Sequence, residues 1–216
     1  MAGGGLQVKC RLCESETCNF VGTDGVRTFA QCSSCNLVFV PDEELVSVED
    51  EKCRYAEHDN SAADAKYVEY ITSFADEIGR VPIESPRVLD FGCGPAQVLE
   101  KVLAERHVPC ESYDPLYGIG AKTIQSTYDV VAMCEVMEHL RDLQKELDLV
   151  KRLLNRPGYV VVRTELYTEH TDFESWWYAR DITHINFFRL TTMLRIAEYL
   201  GKGMFFTNAR NVMIFG

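Results

Sequence analysis

The chain has 216 residues, 46% of them hydrophobic, and a formal net charge of −11. That length holds one full α/β domain plus a small appendage. The acidic balance and the lack of a Lys/Arg cluster disfavour nucleic acid as a partner, and no run of apolar residues is long enough to span a membrane.

The first ten residues, MAGGGLQVKC, lack the basic and apolar regions of a secretory signal. Ala2 stands where myristoylation needs glycine. The expected location is the cytoplasm. There, 9 cysteines do not read as a disulfide framework.

Four of those cysteines form two C-x-x-C pairs, Cys10/Cys13 and Cys32/Cys35, with 18 residues between the pairs. Each pair makes a knuckle whose thiolates face one ion, and two knuckles supply the four soft ligands of a tetrahedral zinc site. The segments VRTFAQ and NLVFV read as strands beside them. Residues 1–41 are therefore expected to form a zinc ribbon. Its closed four-thiolate site has no open position, which makes it structural. A redox dithiol needs only one pair and leaves the other unexplained. Cys18 reads as a bystander.

Residues 42–85 are expected to be a linker followed by a helix covering the cofactor site. The stretch 41–59 is acidic and without clear periodicity. Over 63–79 the spacing of Tyr67, Tyr70, Ile71, Phe74 and Ile78 predicts an amphipathic helix. Gly79 and two prolines end it.

From residue 86 a β/α rhythm runs to the C-terminus. Strands are expected over 87–91, 109–113, 128–134 and in RPGYVVVRT, with helices over 95–106 and around Leu143, Leu147, Val150 and Leu154. The stretch 166–189 has no clear strand pattern. A helix near 191–200 ends at Gly201, and MFFT and VMIF form a closing hairpin. The predicted fold class is α/β: a doubly wound, mostly parallel, Rossmann-like sheet with a terminal antiparallel hairpin, plus the ribbon.

The first strand of this domain leads into VLDFGCGPAQV. Gly92 permits a sharp turn and Gly94 lets a ligand approach the backbone. A phosphate loop would need Lys and Ser/Thr after its last glycine, and neither is present. A dinucleotide loop wants a third glycine where Gln97 stands. S-adenosylmethionine brings an amino acid and a ribose diol instead. Asp90 can then sit near the cationic amine, and Asp114, at the end of the second strand, can accept both ribose hydroxyls.

VLDFGCGPA, ESYDP, YDVVAMCEVMEHL and LLNRPGYVVVRT resemble the successive motifs of class I S-adenosylmethionine-dependent methyltransferases over roughly residues 86–216. With the N-terminal cysteines, the chain is similar to the small bacterial type that carries a zinc ribbon. The resemblance implies that Asp90, Gly92, Gly94 and Asp114 bind the cofactor. One departure stands out: only 13 residues, none of them acidic, separate Asp114 from Tyr128, where the family fits a helix and a third strand. Tyr117 is the expected neighbour of the adenine.

Ligands of open α/β sheets lie beyond the carboxyl ends of the strands, which puts Glu135 and His139 near the reactive methyl. The long aromatic stretch 166–188 reads as a lid over the acceptor. Within it, WWYARDITHINFF resembles a stretch recurring in this methyltransferase group. His184 is the candidate general base, with a pKa expected near working pH. Its bland reading is a residue that fixes the lid by bonding Asp181 or the backbone. His139 and Tyr178 are the other catalytic candidates, each with a structural reading beside it: strand end and helix cap for His139, lid core for Tyr178. At least one residue of Trp176, Trp177 and Tyr178 should be exposed. Tyr55 and His58 are candidates for the methionine end of the cofactor or the acceptor.

The expected function is methyl transfer from S-adenosylmethionine to a small-molecule acceptor, with the Zn2+ site shaping the acceptor pocket or a homodimer contact. Two alternatives remain open. One is an RNA or protein methyltransferase that uses the ribbon for recognition; the other is a non-catalytic interaction module on a degenerate methyltransferase fold.

Overall fold

The computed structural model describes residues 5–6, 8–56 and 61–216. His58 lies outside the described residues. Strands β1 (Gly5–Leu6), β2 (Cys18–Thr23), β3 (Thr28–Cys32) and β4 (Val38–Phe39) build the N-terminal ribbon. Helices α1 (Val48–Ala56) and α2 (Ala65–Ile78) follow. The larger unit runs β5 (Val88–Phe91), α3 (Val98–Glu105), β6 (Cys110–Tyr113), β7 (Tyr128–Cys134), α4 (Leu143–Leu153) and β8 (Leu154–Arg163). It closes with β9 (Asn186–Phe187), α5 (Leu190–Tyr199), β10 (Met204–Thr207) and β11 (Val212–Phe215).

The main sheet has the order β10-β11-β8-β7-β5-β6. Its β6, β5, β7 and β8 pair in parallel, and β11 and β10 add antiparallel at the other edge, as the terminal hairpin predicts. Among the described residues no strand lies beyond β6. The short connection after Asp114 is filled by a bridge to Ile119 and a single turn at Thr123–Gln125.

Alternation along the strands sorts two cores. Val88, Val130, Ala132, Val161 and Ile214 face α2 and α3, through Ile71, Phe74, Leu99 and Leu103. Leu89, Val131, Met133, Val162 and Met213 face α4 and α5, through Leu147, Val150, Met193 and Ile196. This two-sided burial is why the central strands are continuously apolar. Asp64 caps α2 by accepting from the Lys66 amide at 2.9 Å, and Asp142 caps α4 through Lys145 at 3.1 Å.

Three local expectations are corrected. The stretch read as a linker carries α1, whose buried residue is Glu51 rather than an apolar side chain. Helix α3 starts at Val98 rather than at Pro95, because Gln97 adopts a left-handed conformation at φ 49°. Finally, the stretch without strand pattern contains β9.

Strand β9 determines the architecture around the site. It pairs with β4, Val38 opposite Phe187 and Phe39 opposite Asn186, so the ribbon sheet has the order β1-β2-β3-β4-β9. A third core forms between ribbon and lid, from Phe29, Val38, Val40, Tyr167, Phe173, Tyr178, Ile185 and Phe187. Among the described residues, no helix is long and apolar enough to cross a membrane.

Candidate functional site

The two cysteine knuckles are built alike. Glu14 and Asn36, each directly after the second cysteine, take φ 61° and 60° and donate to the carbonyls of Cys10 and Cys32, both at 2.9 Å. The amides of Leu12 and Ser34 point at the sulfurs of Cys10 and Cys32, both at 3.4 Å. The four sulfurs lie within 4.8 Å of one another. Cys10–Cys35 and Cys13–Cys32 are each at 3.5 Å. Tetrahedral zinc with bonds of about 2.3 Å needs sulfurs about 3.8 Å apart, so the set fits that ion. Cys18 is not part of the group.

At the carboxyl end of β5, Gly92 has φ 79°, and a Cβ there would sit 2.6 Å from a Val136 methyl. Only glycine fits. Gly94 has φ 62° and open space where its Cβ would be, so its backbone face is free to receive a ligand. Asp114 ties this loop to the end of β6. Its Oδ2 accepts from the Gly94 amide at 3.0 Å, and its Oδ1 accepts from Leu116 at 2.9 Å and Tyr117 at 3.3 Å. Tyr117 is thereby held at the rim, half exposed. Asp90 is 4% exposed. Burial, then the charges of Glu100 and Asp114, push its pKa up to about 8.

The second half of the site lies beyond β7. Glu135 takes φ 52° at the strand end, a conformation rare for a residue with a side chain and common at functional sites. Its carboxylate accepts from the Tyr70 hydroxyl of α2 at 2.7 Å and from the Tyr178 hydroxyl at 2.9 Å. Tyr178 is buried, and its hydroxyl also lies 2.6 Å from Glu138 and 3.0 Å from Thr164. Glu138 is fully buried, and burial beside Glu135 pushes its pKa well up.

His139 and His184 stack edge-on with centroids 4.7 Å apart, and Tyr55 packs on the other side of His139 at 5.2 Å. A carbonyl can only accept. His139 Nδ1 therefore donates to the Thr183 carbonyl at 3.0 Å, and His184 Nδ1 to the Tyr178 carbonyl at 2.7 Å. Burial lowers both pKa values, that of His184 to about 3. His184 is thus neutral at working pH, with its Nε2 lone pair available, rather than poised near neutrality as the sequence suggests.

The structure therefore gathers Asp90, Gly92, Gly94, Asp114 and Tyr117 at one set of strand ends. It gathers Glu135, His139, Tyr178 and His184 at the neighbouring one. Tyr55 sits with the histidines, its hydroxyl donating to Glu51 at 3.0 Å. Trp177 is the exposed member of its aromatic trio, at 62%.

Sequence reasoning missed the residues that hold the second set. Arg27, from the ribbon turn, is buried and donates to the carbonyls of Asp181 and His184, each at 3.0 Å, and to that of Ala179. Asn186 donates to the carbonyls of Met137 at 3.2 Å and Leu140 at 2.7 Å, and the Ile185 amide to that of Glu138 at 2.8 Å. Arg11, inside the first knuckle, reaches Asn186 Oδ1 at 3.4 Å. Glu138 does have a signal in the sequence: with His139 and Leu140 it forms the E-H-L that the resemblance to the methyltransferases maps after the strand 128–134.

The profile of the methyltransferase domain family matches residues 55–201. No curated protein matches the sequence. Among solved structures, an O-methyltransferase family protein from Burkholderia thailandensis superposes with TM-score 0.51 at 15% identity, over 77% of this chain and 60% of that one. LaPhzM gives 0.51 at 12% identity, over 79% and 61%. The mitomycin 7-O-methyltransferase MmcR gives 0.51 at 10%, over 72% and 59%. The chain spans about 60% of the length of these structures, and at such identities the likeness shows the fold. With more than half of its residues under the family profile, the chain belongs to the methyltransferase domain family.

Proposed function

We propose that this chain transfers the methyl group of S-adenosylmethionine to a small-molecule acceptor, and that its four cysteines hold a structural zinc ion. The observation that carries the reading is the open backbone face of Gly94 between two buried carboxylates, Asp90 and Asp114. A protonated Asp90 can give up its proton when a cationic amine arrives, which suits an amino-acid end. Asp114 keeps acceptor capacity beyond its three amide contacts, because a carboxylate offers about four lone-pair sites.

When bound, the cofactor supplies an already activated methyl group on a sulfonium. The residues of the chain have the task of alignment, which is worth roughly 7–11 kcal/mol in favourable cases. Gly94 and Asp114 orient the cofactor. Tyr178, Glu135 and the two neutral histidines bind and orient the acceptor, and His184 Nε2 accepts its proton. The ribbon supports the lid, since Phe39 pairs with Asn186.

Calorimetry with S-adenosylmethionine and S-adenosylhomocysteine tests the reading. Binding is expected in the native chain and lost in Asp90→Ala and Asp114→Ala. A native chain that binds neither compound would overturn it.

A further inference from the structure

Glu138, His139 and His184 come from two parts of the chain, yet the ligand atoms they offer all lie within 4.8 Å of one another. In both rings Nδ1–H donates to a main-chain carbonyl, that of Thr183 for His139 and that of Tyr178 for His184. Such a donation to a carbonyl is the usual outer support of a metal-binding histidine, and it leaves Nε2 as the ligand atom. His139 Nε2 is 4.0 Å from Glu138 Oε1, a few tenths of an ångström beyond the roughly 3.3–3.6 Å that two ligands of a tetrahedral ion keep with bonds of about 2.0–2.2 Å, so ligation draws the two groups slightly together.

The carboxylate is the second independent pointer. Glu138 has no solvent exposure, and its Oε2 has no hydrogen-bond partner among the described residues. Its Oε1 shares the Tyr178 hydroxyl with Glu135, and a hydroxyl donates only one hydrogen. An orphaned oxygen of a fully buried carboxylate is costly unless a charged partner meets it.

We propose that Glu138, His139 and His184 form a binding site for a divalent transition metal, separate from the four-thiolate cluster. Two imidazoles and one carboxylate suit Fe, Mn, Co or Zn rather than Mg or Ca, which prefer all-oxygen sets. A bound metal takes up the His184 Nε2 lone pair, so the proton-accepting role of His184 belongs to the chain without metal at this site; three protein ligands leave coordination positions open. The site stands whether or not the chain transfers a methyl group, because metal binding is measured without cofactor or acceptor.

The test uses the full chain with its thiolate cluster filled by zinc, titrated with Co(II) and followed by visible absorption. A second metal equivalent is expected, with weak d–d bands and no thiolate charge-transfer bands. Glu138→Gln and His184→Ala should lose it while keeping the zinc equivalent. Tyr178→Phe, which removes the outer support of the carboxylate, should weaken it roughly 10–100-fold. Uptake limited to the thiolate cluster, or a second equivalent retained in both ligand variants, overturns the proposal. Where the variants fail to fold, proton NMR of the Co(II)-loaded native chain decides. Two paramagnetically shifted, exchangeable ring N–H signals support the site, and their absence refutes it.

Discussion

The guanidinium of Arg27 donates to the backbone carbonyl of His184 at 3.0 Å, across 157 residues of sequence. The same group holds the carbonyls of Ala179 and Asp181 and pairs with Asp24 at 2.8 Å. A residue of the ribbon thus sets the position of the candidate acceptor pocket. Arg27→Ala leaves buried carbonyls without a donor and should lower stability by roughly 3 kcal/mol. Arg27→Lys should recover only part, because one ammonium cannot reproduce the planar fork. Urea unfolding reads the loss, and hydrogen exchange should show it concentrated in 179–187.

The two glycines of the cofactor loop should respond differently. Gly92→Ala meets Val136 at 2.6 Å and has an unfavourable φ, so it should destabilise the fold by roughly 3 kcal/mol. Gly94→Ala has the φ penalty alone, about 1–2 kcal/mol, and should fold. Its added methyl group stands where the ligand approaches, so S-adenosylmethionine affinity should fall at least about 10-fold. Paired melting and calorimetry of the two variants check this; equal affinity in Gly94→Ala and the native chain would count against the cradle.

Asp90 makes stability depend on pH. Its folded pKa is raised to about 8, against about 3.9 for an unfolded aspartate. A raised carboxyl favours the fold fully below pH 4, and that contribution is lost as pH rises through 8. The cofactor-free chain should therefore melt at a lower temperature at pH 8 than at pH 5, and Asp90→Asn should flatten this part of the profile. Binding of a cationic amine should expel the proton. The calorimetric enthalpy at pH 7 should then vary with the ionisation heat of the buffer, with up to about one proton released.

Metal loss from the ribbon should reach the pocket. Cys32→Ser with Cys35→Ser removes half of the thiolate set, and Cys35 also supplies the carbonyl that Thr192 of α5 bonds at 3.0 Å. The double variant should lose its zinc, by elemental analysis, and exchange the amides of 185–187 faster than the native chain. Unchanged exchange would show that the ribbon sheet holds its shape without metal.

The parts of the fold visible in sequence are those set by local pattern. The strand 128–134 and both strands of the terminal hairpin match their expected bounds, because their apolar runs and turn residues are local signals. The gap of 13 residues after Asp114 leaves two readings in the sequence, a reduced third strand or an adenine held by backbone and apolar contacts, and the described residues carry only a bridge and a single turn there. Helix α1 was not visible, because Glu51 is buried through polar partners, Tyr55 and Arg141, instead of through hydrophobic spacing. The β4–β9 pairing joins two-residue strands from opposite ends of the chain, and so short a ladder leaves no periodicity to read. Placement of Tyr55 against His139 follows from α1, so it was hidden for the same reason.

That ladder also imposes a waiting time. Val38 and Phe39 are synthesised long before their partners Phe187 and Asn186. At a translation speed of about 5–20 residues per second, β4 leaves the ribosome roughly 7–30 seconds ahead of β9. Through that interval its outer edge is bare, the kind of edge that recruits foreign strands. All four knuckle cysteines are already made by residue 35. Metal capture there would hold β3 and β4 in register while the rest of the chain is still being translated.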